Sequence, residues 1–289
     1  MILSINNLKK YYGDLKAVDG VSFHVEEGIC FGLLGPNGAG KSTTLEILEG
    51  VKEETSGEIL FQGLVRDKSY KQRIGIQFQS TALQDHMTIE EALYTFQSFY
   101  EKTMSIDRLI ELCNLQEILH KEHRRVSGGQ RQRLLLALSL INDPEIIFLD
   151  EPTTGLDPYA RIRYWELIND IKKLGKTIIL TTHYMDEAHS LCDELIIMDR
   201  GKIIAQGSPA ELLEIHFKER TLILPESEKT ALEKSDISFN EVKGKLHILS
   251  TDVKAHLRQL MEVDISLDDI EVRSQNLEDL FIQLTGSTF

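Results

Sequence analysis

An α/β fold is predicted by three features of the 289-residue sequence. Short β-branched runs alternate with amphipathic stretches over the first 210 or so residues, the order expected of strands interleaved with helices. The longest apolar runs, such as Ile146 to Leu149, are strand-sized, so no stretch reaches the ~18 residues that would span a bilayer. One such strand opens onto a glycine-rich turn that is followed at once by a helical pattern. The composition, 42% hydrophobic and 27% charged, is that of a soluble globular protein and excludes disordered and small-scaffold classes. A chain of this length buries roughly three quarters of its unfolded surface, enough for one large or two smaller cores without staples.

The strands predicted in order are Val18–Val25, Ile29–Leu34, Ile74–Phe78, Glu145–Leu149, Thr177–Thr181 and Glu194–Asp199. Between Phe78 and Ser127 the pattern turns helical: Thr88 with Glu91 forms a capping box, and Ile89, Ala92, Leu93 and Phe96 then recur on one face. From Glu211 onward the chain has nine basic and 16 acidic residues, so this tail carries −7, half of the net charge of −14. Within it Thr221–Leu224, Leu246–Leu249 and Ile270–Val272 read as strands. Val253–Met261 and Leu277–Leu284 read as helices, the second stopped by Gly286. The tail is therefore expected to be a small separate α/β unit.

Charge and cysteine usage bound the partners. A net charge of −14 argues against general nucleic-acid affinity, which depends on clustered Lys and Arg. Cys30, Cys113 and Cys192 are odd in number and lack metal-like spacing, so they read as buried, reduced thiols. The opening MILSINNLKK lacks the order of a secretory signal, and the chain is expected in the cytosol.

The strand ending at Leu34 runs into Gly35-Pro36-Asn37-Gly38-Ala39-Gly40-Lys41-Ser42-Thr43 and then a helix, the context a G-x-x-x-x-G-K-S phosphate loop requires. Glycines let backbone N–H groups wrap a polyphosphate, and the helix adds its positive end. Lys41 is expected to reach the β and γ phosphates and Ser42 to hold Mg²⁺. The run Glu145–Glu151 delivers two adjacent carboxylates at a strand end: Asp150 is a candidate Mg²⁺ ligand, and Glu151 can polarise an attacking water. Gln79 and His183 also follow predicted strands, as a candidate Mg²⁺ oxygen ligand and a candidate γ-phosphate contact. A lone Gln or His is ordinarily a plain hydrogen-bonder; position at strand ends beside the other two motifs singles these out. Ser127-Gly128-Gly129-Gln130 opens another helix, and from spacing alone it is either a second anion-binding surface or only a turn.

Together these residues resemble the nucleotide-binding subunit of an ATP-binding cassette (ABC) transporter, from about Leu3 to Leu213. The resemblance implies a P-loop NTPase core of ABC type with an antiparallel β subdomain and a helical subdomain at about 82–140. The ATPase domain would then cover 1–213, and an accessory, dimerisation or regulatory domain 214–289. In that likeness Gly35–Thr43 is the Walker A loop, Gln79 the Q-loop glutamine and Val126–Gln130 the signature. Ile146–Asp150 is the Walker B strand, Glu151 the catalytic glutamate, Thr154–Asp157 the D-loop and His183 the switch histidine. Tyr12 matches the aromatic that stacks on adenine, with Tyr11 the alternative. Three departures are mild: Val126 replaces Leu, Thr154-Gly155 replaces Ser-Ala, and Ser80 follows Gln79 in place of an acidic residue.

The resemblance further implies Mg²⁺ and ATP as ligands, and a homodimer that sandwiches ATP between the Walker A loop of one copy and the signature of the other. It also implies a separate integral membrane permease, with this subunit peripheral on the cytoplasmic face of the cell membrane. Thr182-His183-Tyr184-Met185-Asp186-Glu187-Ala188 and the ending Asn276–Gly286 look like the exporter-type branch. Two rival readings are a soluble ABC-type ATPase without a transport role, and a regulatory module that holds ATP without turnover. A single cassette without heptads stands against the first, and Glu151 with His183 against the second.

Overall fold

The computed structural model describes residues 1–78, 81, 83–263 and 265–286. They fall into two compact units that divide after Pro209. In the first, β1 (Leu3–Tyr12) and β2 (Leu15–Val25) pair antiparallel around Gly13-Asp14, and β3 (Cys30–Leu34) leads through the glycine-rich turn to α1 (Lys41–Leu48). Next come β4 (Ser56–Phe61), β5 (Leu64–Val65), β6 (Ile74–Gln77), α2 (Ile89–Gln97), α3 (Ile106–Leu112) and α4 (Gly128–Leu140). The unit closes with β7 (Ile146–Asp150), α5 (Pro158–Lys173), β8 (Thr177–Thr182), α6 (Met185–Leu191), β9 (Glu194–Asp199) and β10 (Lys202–Gly207).

Two sheets result. One is antiparallel, in the order β2-β1-β4-β5; the other has six strands in the order β10-β9-β3-β8-β7-β6. Strands β9, β3, β8, β7 and β6 run parallel, and β10 folds back antiparallel on β9. Parallel strands are covered on both faces, which is why β3 and β8 are buried at every residue. The mixed α/β fold read from the sequence is the one observed. Strands β1, β4, β5 and β10 were not among those expected: β1 and β4 carry Lys, Asn, Glu and Gly, and β10 alternates half-buried with exposed residues. A single apolar cluster joins Leu3, Ile5 and Phe23 of the antiparallel sheet to Phe31, Phe148 and Ile196 of the parallel one, and includes Leu45 and Leu48 of α1.

The helical stretch expected after Phe78 resolves into α2, α3 and α4. Thr88 and Glu91 cap α2 reciprocally, and Ile89, Ala92 and Leu93 are buried. Among the described residues no helix is long and apolar enough to cross a membrane.

The second unit takes α7 (Pro209–His216) from its second residue and continues with β11 (Arg220–Pro225), α8 (Lys229–Leu232), β12 (Asn240–Val242) and β13 (Lys245–Ser250). It ends with α9 (Val253–Glu262), β14 (Glu271–Arg273) and α10 (Leu277–Thr285). Its antiparallel sheet has the order β12-β13-β11-β14. Leu222, Leu224, Leu246 and Ile248 alternate along β11 and β13 and form a core with Leu232, Leu260 and Ile265. Asn276 and Asp279 cap the start of α10, and Gly286 ends it in the left-handed region at φ 70°.

Candidate active site

Because β3, β6, β7 and β8 are parallel neighbours, their C-terminal ends lie along one edge of the sheet, where α/β folds place their ligands. That edge gathers the motifs that sequence scatters: the turn at 35–40 follows β3, Asp150 and Glu151 end β7, and His183 follows β8. Gln79, which follows β6, lies outside the described residues.

The turn is held open by its own backbone. Ala39 donates its N–H to the carbonyl of Pro36 at 3.1 Å, and Gly201 donates to the carbonyl of Ala39 at 2.9 Å. Gly40 (φ 102°) and Gly201 (φ 76°) both press against the backbone of Ala17 on β2; a Cβ on Gly40 would lie 2.3 Å from the Ala17 carbonyl oxygen, and one on Gly201 2.9 Å from it. Only glycine meets both demands, the positive φ and the close approach. Gly40 offers no side chain to cap α1, so the first N–H groups of the helix face the turn. Lys41 is buried, and its Nζ donates to the carbonyls of Gly35 (2.7 Å) and Pro36 (3.1 Å). Burial pulls the Lys41 ammonium below the usual lysine range, with the charges of Glu151 and Asp150 acting in the opposite direction.

The acidic side is equally constrained. Ser42 Oγ lies 3.4 Å from Asp150 Oδ1, and the same carboxylate oxygen accepts the Thr181 hydroxyl at 2.6 Å. Glu151 sits at φ 46°, a conformation that costs a side-chain-bearing residue about 1–3 kcal/mol. Its N–H donates to both the carbonyl (3.2 Å) and the hydroxyl (3.1 Å) of Thr181, which offsets that cost. The reversed backbone turns its side chain toward the end of β8: Oε1 lies 3.4 Å from His183 Nδ1, and Oε2 accepts the Thr154 hydroxyl at 3.2 Å. The His183 ring lies 4.2 Å from that of Tyr184, centroid to centroid, and the Arg161 guanidinium covers the Tyr184 ring at 4.0 Å. Thr181 is the residue that sequence reasoning missed. Its signal was a hydroxyl on a wholly buried strand, two positions before His183.

Oxygen donors at Ser42 and Asp150 suit a hard divalent cation such as Mg²⁺. Among the described residues no group of three or more His, Cys, Asp or Glu could hold a metal. Of the two tyrosines, Tyr11 is committed: its hydroxyl donates to Asp19 at 2.6 Å. Tyr12 is 44% exposed, with the ammonium groups of Lys10 and Lys52 over its ring at 5.2 and 6.0 Å.

Ser127–Gln130 and Asp157 lie at helix starts. Ser127 Oγ accepts the Gln130 N–H while Gln130 Oε1 accepts the Ser127 N–H, a reciprocal cap of α4. Asp157 accepts the Ala160 N–H at 2.8 Å and caps α5. Among the described residues no hydrogen bond or ion pair links Ser127–Gln130 to residues 35–43 of the same chain.

The family described as ABC transporter matches residues 18–154. A Nod factor export ATP-binding protein I from Ralstonia nicotianae is 38% identical over 99% of this chain and 94% of its own length. The chain belongs to the ABC transporter family. Among solved structures, cbiO1 from Clostridium perfringens, part of an ABC transporter complex, superposes with a TM-score of 0.65 at 29% identity, over 74% of this chain and 90% of that chain. A dimeric post-hydrolysis state of the ATP-binding cassette MJ0796, bound to ADP and Pi, gives 0.63 at 25% identity, over 72% and 98%. The cassette is accordingly an ATP-binding, ATP-hydrolysing transport subunit with the P-loop fold.

Proposed function

We propose that the cassette drives export through a separate integral membrane permease, docked on the cytoplasmic face of the membrane, by closing as a homodimer on two ATP molecules. The observation that carries this reading is the convergence of Lys41, Ser42, Asp150, Glu151 and His183 at the ends of three adjacent parallel strands. The backbone N–H groups of Gly38 and Gly40–Thr43 and the Lys41 ammonium grip the phosphates, and Tyr12 stacks on the base. Ser42 and Asp150, with Gln79, hold Mg²⁺, which when bound neutralises charge developing on the phosphates. Glu151 accepts a proton from the attacking water as the new O–P bond forms and the bond to the bridging oxygen breaks, leaving ADP and phosphate. His183, beside Glu151, contacts the γ-phosphate.

Each copy would present Ser127, Gly128, Gly129, Gln130 and Asp157 to the nucleotide of the other; the want of any hydrogen bond or ion pair, among the described residues, from Ser127–Gln130 to residues 35–43 of the same chain is consistent with that. Such an arrangement is two-fold symmetric and needs only one motif set per chain. The ATPase domain takes residues 1–213, with a helical subdomain at about 82–140 whose stretch 82–125 is the arm toward the permease, and residues 214–289 serve as a dimer-stabilising or regulatory domain. Export as the direction follows the naming of the relatives. Glu151→Gln tests the reading: ATP should bind as in the parent, turnover should fall at least about 100-fold, and the chain should elute as a dimer with ATP. Undiminished phosphate release would refute the role given to Glu151.

A further inference from the structure

A second polar assembly lies behind the site. Gln77, the last residue of β6, is 2% exposed on a strand whose other members are Ile74, Gly75 and Ile76. Burying an amide among apolar neighbours is costly unless its hydrogen bonds are made, and here both ends are made. Gln77 Oε1 accepts the Tyr164 hydroxyl of α5 at 2.7 Å, and Gln77 Nε2 donates to Gln132 Oε1 of α4 at 2.6 Å. Tyr164 is itself fully buried, and burial raises its phenol well above the usual range, so it stays a neutral donor.

The three-member chain sits one turn behind the place where the two helices meet. Gly129 is packed so closely on α5 that a Cβ there would lie 3.0 Å from Ala160 Cβ. Gln132 is one helical turn beyond Gly129, and Tyr164 one turn beyond Ala160. The helices therefore touch at their starts, and Gln77 bridges them a turn later. Farther along, α4 is held to β6 independently. Asn142, just past its end, donates from Nδ2 to the carbonyls of Gln72 (3.0 Å) and Ile74 (2.8 Å), and the Ser139 carbonyl abuts Gly75. Near Ser127, Arg131 Nη2 donates to the Thr81 carbonyl at 2.7 Å and Arg133 Nη1 to that of Asn114 at 2.6 Å, but among the described residues it is the Gln77 bridge whose hydrogen bonds also reach α5.

We propose that Gln77 is a positioning residue: through Gln132 and Tyr164 it locks the start of α4 to the start of α5. The Ser127 turn and the Thr154–Asp157 loop are then held together, as one body with the end of β6. The lock itself is read in one chain without nucleotide; its effect on turnover rests on the proposed closure over a partner's ATP. Two surfaces that must meet another copy together lose registry if each pivots alone, and an error of about 1 Å at a reacting centre costs up to about 100-fold.

The test uses the full chain carrying Gln77→Met with Tyr164→Phe, which removes the bridge without leaving a buried hydroxyl unpaired; Gln132, half-buried, can turn to solvent. Amide hydrogen exchange is measured without nucleotide, and kcat and KM with ATP. Expected are about ten-fold faster exchange over residues 127–135 with no change over 136–142, and kcat about ten-fold lower with KM for ATP within about two-fold. Parent-like exchange over 127–135 would overturn the proposal. So would equal acceleration of both segments, because that reports general loosening. Tyr164→Phe alone, which deletes one bond, serves if the double variant does not fold, with a smaller change of the same pattern. Exchange does not depend on dimerisation, so failure of the closure reading, seen with Glu151→Gln, is distinguishable from failure of the lock.

Discussion

Glu49, one residue past α1, is 3% exposed, and burial, then the charges of Asp150 and Glu46, push its carboxyl up to about 7. The folded chain therefore binds a proton at Glu49 more tightly than the unfolded chain does. Between about pH 4.5 and 7 the unfolded state is ionised there while the native state is still protonated, so stability falls as pH rises through that window and levels off above it. Glu49→Gln should remove this slope. Urea unfolding at pH 8 should show the variant more stable by about 2–3 kcal/mol, and at pH 4 the two should coincide. At the same scale, the motif residues were legible in the sequence because a phosphate loop and a strand-end Asp-Glu pair have local spacing. The 3.4 Å approach of Glu151 to His183 was not, because it needs β7 beside β8 and a reversed backbone at Glu151. Thr181 stayed hidden for the same reason: its hydroxyl matters only once Asp150 is its neighbour across the sheet, a pairing the register makes directly.

Among the elements, the buried parallel strands were readable as continuous apolar runs, and α2 as a capped amphipathic helix. Strands β1 and β4 escaped because antiparallel strands with one wet face mix polar residues into the pattern, and β1 shifts register three times against β2, which breaks its alternation. The packing of α4 on β6 was also beyond local reading, since it depends on one glycine. A Cβ on Gly75 would lie 1.8 Å from the Ser139 carbonyl oxygen, a contact that only movement of the whole helix could relieve. Gly75→Ala should therefore destabilise the chain by about 3 kcal/mol, at the upper end of overpacking changes. Chemical denaturation would read this as a lower midpoint with an unchanged slope.

For the molecule as a whole, a site built from strand ends couples nucleotide binding to the stability of the first unit, since the unfolded chain has no such edge. ATP at 100 times its dissociation constant should raise the unfolding free energy by about 2.7 kcal/mol. In Lys41→Ala the gain should vanish at the same concentration; thermal unfolding with and without ATP measures both. The six-stranded sheet and the antiparallel sheet share one apolar cluster, so the phosphate turn is packed in one core with the antiparallel sheet. Their seam is narrow: the carbonyl of Ala17 lies under both Gly40 and Gly201, and Asp19 donates its N–H back to Gly201 at 2.8 Å. Position 201 could never touch a nucleotide with a side chain, yet a library randomised at 40 and 201 would return glycine at both. A survivor bearing any larger residue at the hairpin between β9 and β10 would have to re-pitch the strand that carries residue 17, and would betray itself by altered preference among purine bases.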